Sequence, residues 1–162
     1  MGRLIHFDTG YQTVSAAQDL LELKADTDQA FVVHSLVIMQ SSDEASSEAE
    51  ELKVGVKRAA GSFTSGSGGG SATVVQQNPA DAAHSLATIE RNNTTQAVVG
   101  TGTLEELPGG VFNVLAGEWE RTYTPELRPP FGPSQALILS LDEAPADALT
   151  LRAVATIEII VG

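Results

Sequence analysis

The stretch ALILSLDEAPADALTLRAVATIEIIV, residues 136–161, decides the fold of this chain. Leu and other apolar residues recur at every second position on both sides of the link DEAPADA, residues 142–148. Because successive side chains of a strand point to opposite faces, this alternation predicts two β-strands. Each strand is expected to turn one face to a core and one mostly polar face to water. Pro145 and the two aspartates favour a turn between them.

The rest of the chain continues in the same way, with short apolar or β-branched segments separated by turn residues. These give roughly eight to ten predicted strands. The most apolar, residues 30–40, is expected to be central and covered on both faces. Pro-Gly-Gly at residues 108–110 predicts a turn, and Asn78 with Pro79 predicts the start of a short helix at residues 78–83.

We therefore predict an all-β fold, an antiparallel β-sandwich of jelly-roll type with long loops and at most one short helix. A small closed barrel is the alternative. The length of 162 residues fits a single domain, residues 1–162. Residues 1–11 are either a first strand or an N-terminal arm that reaches a neighbour. The stretch SFTSGSGGGSAT, residues 62–73, predicts a flexible Gly/Ser loop.

Charge and composition exclude several classes of partner. The formal net charge of −12 repels nucleic-acid phosphates, so no direct nucleic-acid binding is expected. No apolar run approaches the roughly 20 residues of a membrane-spanning helix, so no membrane contact is expected. The absence of cysteine excludes disulfides and thiolate metal sites. We expect a protein that is synthesised in the cytoplasm.

Side chains that carry chemistry are scattered along the chain. His6, His34 and His84 are too far apart in sequence to form a local metal pair. His34 lies inside a predicted strand, where we expect it to be a hydrogen-bonded residue. No serine lies in a G-x-S-x-G motif, and the paired carboxylates sit in turns and loops, where solvation explains them. We predict no enzyme activity, no catalytic, cofactor-binding or metal-ligating residue, and no cofactor.

The few aromatic residues suggest two surfaces. Trp119 and Tyr123 fall on one face of a strand, where core filling is favoured over a carbohydrate-binding platform. Phe131 lies in the proline-rich stretch TPELRPPFGPS, residues 124–134, which predicts an ordered connection outside the sheets or an extended arm. Phe131 is expected to be an exposed aromatic. Together with Leu127 and Pro130 it forms the predicted partner-contact set.

Several segments, in this order along nearly the whole chain, resemble a family of small virion proteins of tailed bacteriophages. They are SAAQDLLEL (15–23), QSSD (40–43), TSGSGGGSAT (64–73), NPADAA (78–83), NNTT (92–95), FNVLAGE (112–118), TPELRPP (124–130) and APADALT (144–150).

The resemblance implies a structural protein of the phage virion. Its most specific form is a capsid decoration, or cement, protein on the outer surface of the head. Such a protein binds the major capsid protein and its own copies, as a homotrimer, and stabilises the assembled shell by mass action. Two alternatives remain open. One is a tail or fibre-associated β-sandwich module that binds host-surface carbohydrate. The other, motivated only by the abundant carboxylates, is a hydrolase of surface polymers.

Overall fold

The structure, a computed structural model, describes residues 3–42, 50–81 and 86–161. His84 and residues 82 and 83 of the helix expected at residues 78–83 lie outside these ranges. Residues 78–81 form a turn in which the Asn78 side chain accepts the Ala80 N–H at 3.1 Å. Among the described residues, none belongs to a helix with the length and apolar character needed to cross a membrane.

The described chain consists of β-strands with one turn of 3₁₀ helix, Pro125–Leu127, which confirms the all-β prediction. The strands are β1 (Arg3–Asp8), β2 (Gln12–Val14), β3 (Gln18–Lys24), β4 (Ala30–Gln40), β5 (Glu51–Ala60), β6 (Phe63–Thr64), β7 (Gly70–Ser71), β8 (Thr73–Gln76), β9 (Thr88–Asn93), β10 (Val98–Val99), β11 (Thr103–Asn113), β12 (Trp119–Thr122), β13 (Pro130–Phe131), β14 (Ala136–Leu141) and β15 (Leu149–Val161). The start of the chain, for which a strand and an arm were both expected, forms β1.

Two antiparallel sheets make up the sandwich. The first has the order β12-β4-β15-β1-β8, with β13 added to β4 and β2 added to β15. The second has the order β11-β5-β14-β3-β9-β7. Eight of these strands form the rows β1-β15-β4-β12 and β3-β14-β5-β11, and the chain changes sheet at each step except β5 to β11. This is the connectivity of a jelly roll, so the predicted sandwich is confirmed and the closed barrel is wrong.

The two strands that decided the fold lie in opposite sheets. The apolar parity of β14, which includes Leu137 and Leu139, and that of β15, which includes Ala155 and Ile157, both turn to the space between the sheets. Phe7 from β1, like these residues, is at most 1% exposed. Burial of these apolar faces is the main stabilising contribution to the sandwich.

An insertion, residues 61–102, separates β5 from β11 and adds to both sheets at the same side. Its β8 extends the first sheet beside β1, and its β9 extends the second sheet beside β3. Strands β6 and β10 pair with each other, and Phe63 and Ala97 pack on the outward residues Ala136 and Ile138 of β14. All six residues of β14 are therefore buried, which corrects the expected polar outer face.

Strand β4 differs from its expectation in the opposite sense. It lies between β12 and β15, so its central position is confirmed. Its inward residues, such as Phe31 and Val33, are fully buried, but its outward residues Val32 and Val37 are only half-buried. The expectation that β4 is covered on both faces is therefore wrong, because the insertion lies over the other sheet.

Residues 108–110 do not turn the chain. They lie inside the continuous strand β11, at a register shift against β5 between Leu107 and Gly110. A Cβ on Gly109 would overlap the carbonyl oxygen of Val54, so the neighbouring strand requires glycine there. The Pro-Gly-Gly signal marks a β-bulge, a feature that uses the same residue types as a turn.

The glycine-rich part of the insertion lies closely against β9. The nearest atoms to an added Cβ on Gly66 would be side-chain and backbone atoms of Asn93 and Thr95, all under 3.0 Å away. On Gly69 that Cβ would overlap the carbonyl oxygen of Arg91, and Gly68 has a φ of +88°. Glycine is therefore required here by close backbone packing and a left-handed conformation.

We expect Gly69→Ala to lower the free energy of unfolding by about 1–3 kcal/mol, because the methyl group must displace the β9 backbone. Gly70→Ala is the matched control, since the nearest atom to its Cβ would be 3.9 Å away. We expect the control to change stability by less than about 0.5 kcal/mol in urea denaturation. Equal effects of the two substitutions would show that the glycines do not serve close packing.

Candidate functional site

The proline-rich segment is fixed along the edge of the first sheet. The Tyr123 N–H donates to the His34 carbonyl at 2.9 Å, and the Val33 N–H donates to the Pro129 carbonyl at 3.2 Å. Between these two anchors the chain makes the 3₁₀ turn, and after them β13 pairs with β4. The expectation of a connection wholly outside the sheets is therefore wrong. We call residues 124–130 the arm.

Phe131 is buried, which corrects its predicted exposure. Its ring is 0% exposed and stacks on Phe31 with centroids 4.9 Å apart and planes 11° apart. The Arg58 guanidinium lies 5.3 Å from the ring centroid. Phe131 belongs to β13, and the pairing of β13 with β4 sets its ring beside Phe31, inside the core. Phe131 thus anchors the arm to the sandwich from within and presents no surface to a partner.

Leu127 and Pro130, the other two residues of the predicted contact set, lie at the surface. Leu127 is 71% exposed, which is the highest value for any large apolar residue in the part of the chain that the structure describes. Its N–H donates to the Thr124 carbonyl at 2.9 Å, so the turn that carries it is closed by its own hydrogen bond. The arm therefore displays one large apolar side chain on a backbone that is held at both ends.

Trp119 and Tyr123 pack against the main core, as the core-filling interpretation expected. The guanidinium of Arg121 lies 5.8 Å from the Tyr123 ring centroid. Both side chains are partly buried, so their packing on the core favours core filling over an open platform for a sugar.

The described histidines are hydrogen-bonded residues of the first sheet. His34 lies 2.8 Å from a Glu158 carboxylate oxygen, as expected for a sheet residue. His6 lies 2.9 Å from the Thr156 hydroxyl and 2.6 Å from the Gln77 side-chain oxygen. In residues 3–42, 50–81 and 86–161, no three His, Asp or Glu side chains are placed to hold a metal ion.

Two buried carboxylates attach the insertion to the second sheet, and sequence reasoning missed both. Asp19 and Glu22, on the outward face of β3, are 2% and 0% exposed. An Asp19 oxygen accepts the Ala97 N–H at 2.7 Å, and a Glu22 oxygen accepts the Gly66 N–H at 2.9 Å. The other Glu22 oxygen has no hydrogen-bond partner among the described residues. The sequence signal available was the pair of acidic residues inside a strand of otherwise apolar pattern.

Burial raises the pKa of Asp19 to about 6, and the nearby Glu22 carboxylate acts in the same direction. The hydrogen bond from Ala97 and the charge of Lys57 oppose the rise in this pKa. Lys57 itself pairs with Asp142 at 2.6 Å. The charged form of Asp19 is therefore disfavoured because the carboxylate loses its hydration beneath the insertion.

The basic side chains of the surface are mostly engaged. Ion pairs join Lys53 to Glu143, Arg58 to Glu105 and Arg152 to Asp8. Others bind main-chain carbonyls, as Arg121 does at Gly109 with a distance of 3.2 Å. Since acidic residues outnumber basic ones by 21 to 9, the charge left at the surface is negative.

Comparisons with known proteins add little to this picture. No family model matches the chain, and no curated protein does. Among solved structures, a mutant VP2 protein of infectious bursal disease virus, determined in derived T=1 particles, is similar at 14% identity with a TM-score of 0.21. The similarity covers 99% of this chain, and the chain spans 40% of that protein. A similarity at this level supports neither a family nor a function.

We expect Asp19→Asn to change the pH dependence of stability. The pKa of Asp19 is higher in the native state than in the unfolded chain, so the protonated side chain stabilises the fold. This contribution to stability is fully present below about pH 4 and is lost as the pH rises through about 6. Asparagine keeps an oxygen for the Ala97 N–H and cannot ionise. We compare the change in unfolding free energy between pH 4 and pH 7 in the two proteins. Over this range the wild type should lose roughly 2–3 kcal/mol more than the variant.

The measurement is urea denaturation between pH 4 and pH 7. Asp28→Asn, on an exposed turn, is the control and should follow the wild-type profile. If Asp19→Asn also follows the wild-type profile, Asp19 ionises in the folded protein as it does in the unfolded chain.

Proposed function

We propose that this protein is a structural component of a phage virion, most specifically a capsid decoration protein that binds the outside of the head shell. The observation that carries the proposal is the arm, a rigid surface segment that displays Leu127 beside a fixed sheet edge. In this proposal the protein contacts the major capsid protein and further copies of itself, and a homotrimer is the expected assembly.

The fold supports the proposal by analogy. Jelly-roll sandwiches form many viral capsid domains, although the same fold also occurs in lectins and enzymes. The resemblance of the sequence to small virion proteins of tailed phages points in the same direction. The fold and the resemblance both favour a structural protein of a virion. The argument that this protein binds a partner comes from its surface.

The arm is built for association. An exposed leucine gains stability when a partner removes it from water, since burial of a large apolar side chain contributes about 1.5–3 kcal/mol. Its backbone is already held by the Tyr123 and Pro129 hydrogen bonds and by the buried Phe131. Little conformational entropy is then lost when a partner binds, which favours affinity.

The surface charge restricts the partner. Glu126 lies beside Leu127 and is exposed, and the net charge of the chain is −12. A shell surface that carries basic groups around an apolar depression complements this arrangement. Contacts between copies bring like charges together, so the arms of a trimer need apolar contact to offset the repulsion.

The proposal is tested on head particles prepared without this protein. Purified protein should co-sediment with such heads, and decorated heads should release DNA at a higher temperature than bare ones, because a ligand of the assembled shell stabilises it. Heads that bind no protein, or that gain no heat resistance on decoration, would count against the role.

Within that assay we expect Leu127→Ser to weaken binding to heads by at least about tenfold, which corresponds to the loss of roughly 1.4 kcal/mol of apolar contact. Its urea stability should stay within about 0.5 kcal/mol of wild type, since the side chain is exposed in the free protein. Val98→Ser, at a 58% exposed position on β10, is the matched control and should bind as wild type. If Leu127→Ser and Val98→Ser bind alike, the arm is not the contact.

A further inference from the structure

A cleft of about 450 Å³ opens between three connections of the sandwich. The turn between β1 and β2 contributes Tyr11, the end of β4 contributes Gln40 and Ser42, and the connection between β11 and β12 contributes Leu115 and Glu118. Its volume falls within the range of small-ligand sites, about 300–1,000 Å³. None of these residues belongs to the arm.

The turn that carries Tyr11 is rigidly held. The Thr9 N–H donates to the Ala153 carbonyl at 3.0 Å, and the Thr9 hydroxyl accepts the Ala153 N–H at 2.8 Å. Arg152 binds Asp8 at the end of β1, just before this turn, with Nε 2.9 Å from a carboxylate oxygen, and its guanidinium lies 5.7 Å from the Tyr11 ring centroid. Tyr11 is 46% exposed, so an aromatic ring is held in place while much of it faces water.

The other walls are held as well. The Leu115 N–H donates to the Asn113 side-chain oxygen at 2.9 Å, and the Ser41 N–H donates to the Thr150 carbonyl at 2.9 Å. Leu115 is 49% exposed, which makes it the second large apolar side chain of the cleft that faces water. The cleft is therefore largely preformed, as small-molecule sites usually are.

Polar groups gather beside these two apolar side chains. The Gln40 amide nitrogen donates to the Ser42 hydroxyl at 2.9 Å, and the Gln40 side-chain oxygen is buried without a hydrogen-bond partner among the described residues. Glu118 adds a carboxylate to the lining. A buried amide oxygen without a partner costs free energy, and a hydroxyl group that donates to it removes that cost.

We propose that this cleft binds a neutral saccharide. A sugar ring offers an apolar C–H face to Tyr11 and Leu115 and hydroxyl groups to Gln40, Ser42 and Glu118. An anionic ligand is disfavoured, because Glu118 lines the cleft, the chain has a net charge of −12, and Arg152 is already engaged by Asp8. A wholly apolar ligand would leave the polar wall without partners. The inference is independent of the proposed role on the head shell, because it uses a different surface.

The test is a titration of ¹⁵N-labelled full-length protein with glucose, galactose, N-acetylglucosamine, maltose and lactose, followed by NMR. At least one sugar should shift the amide signals of Tyr11, Gln40 and Leu115, with a Kd in the range of about 0.1–10 mM. Glucuronate should bind more weakly than the tightest-binding neutral sugar, because Glu118 and the net charge of −12 repel its carboxylate. If no sugar shifts these signals at about 50 mM, or if glucuronate binds more tightly than every neutral sugar, the proposal is wrong.

Variants separate the cleft from general effects. Tyr11→Ala should weaken binding of the sugar by at least about tenfold, whereas Tyr11→Phe should stay within about threefold, because the ring that packs on the sugar is retained. Leu127→Ser, in the arm, is the control and should bind the sugar as wild type. A dispersed spectrum for each variant checks that it is folded. Unchanged binding by Tyr11→Ala would overturn the assignment of the cleft.

Discussion

The attachment of the insertion to the second sheet depends on two buried carboxylates that accept main-chain N–H groups. Asp19 binds Ala97 and Glu22 binds Gly66, so the two ends of the insertion are held on the outward face of β3. Burial of carboxylates is costly, and the hydrogen bonds offset part of that cost. In return the insertion covers the outward residues of β14, which would otherwise expose Ile138 to water. The insertion is also held by the pairing of β8 with β1 and of β9 with β3, and by the close packing of its glycines on β9.

The two candidate surfaces are arranged around a single short strand. Glu118, just before β12, lines the cleft, and residue 124, just after Tyr123, begins the arm. The strand itself is held by its pairing with β4 and by the packing of Trp119 and Tyr123 on the core. Trp119 and Tyr123, whose spacing in the sequence also suggested a sugar-binding platform, therefore hold this strand on the core. The surfaces that they support are formed by the connections, which is where function usually lies on a rigid scaffold.

Periodicity in the sequence was a reliable guide wherever a strand buries one face. Strand β15 follows its expected segment closely, because it has an inward parity of apolar residues that only one register can bury. The errors concern positions where a residue type has two structural uses. The glycines and proline at residues 108–110 suit a turn and a bulge equally, and only the pairing with β5 distinguishes the two. Phe131 between prolines suits an exposed arm, yet the pairing of β13 turns it inward.

By itself, the sequence determined the all-β class and the strand that ends the chain, because these follow from local alternation and turn chemistry. It favoured a jelly-roll sandwich over a closed barrel, and the pairing of the strands decided between the two. It also identified Leu127 and Pro130 as surface candidates. Only the tertiary structure decided that the insertion covers β14, that Asp19 is buried beneath it, and that Tyr11 joins Glu118 in one cleft. Each of these juxtapositions brings together segments that are distant in the chain. Their distances depend on how the two sheets pack, which no local pattern in the sequence encodes.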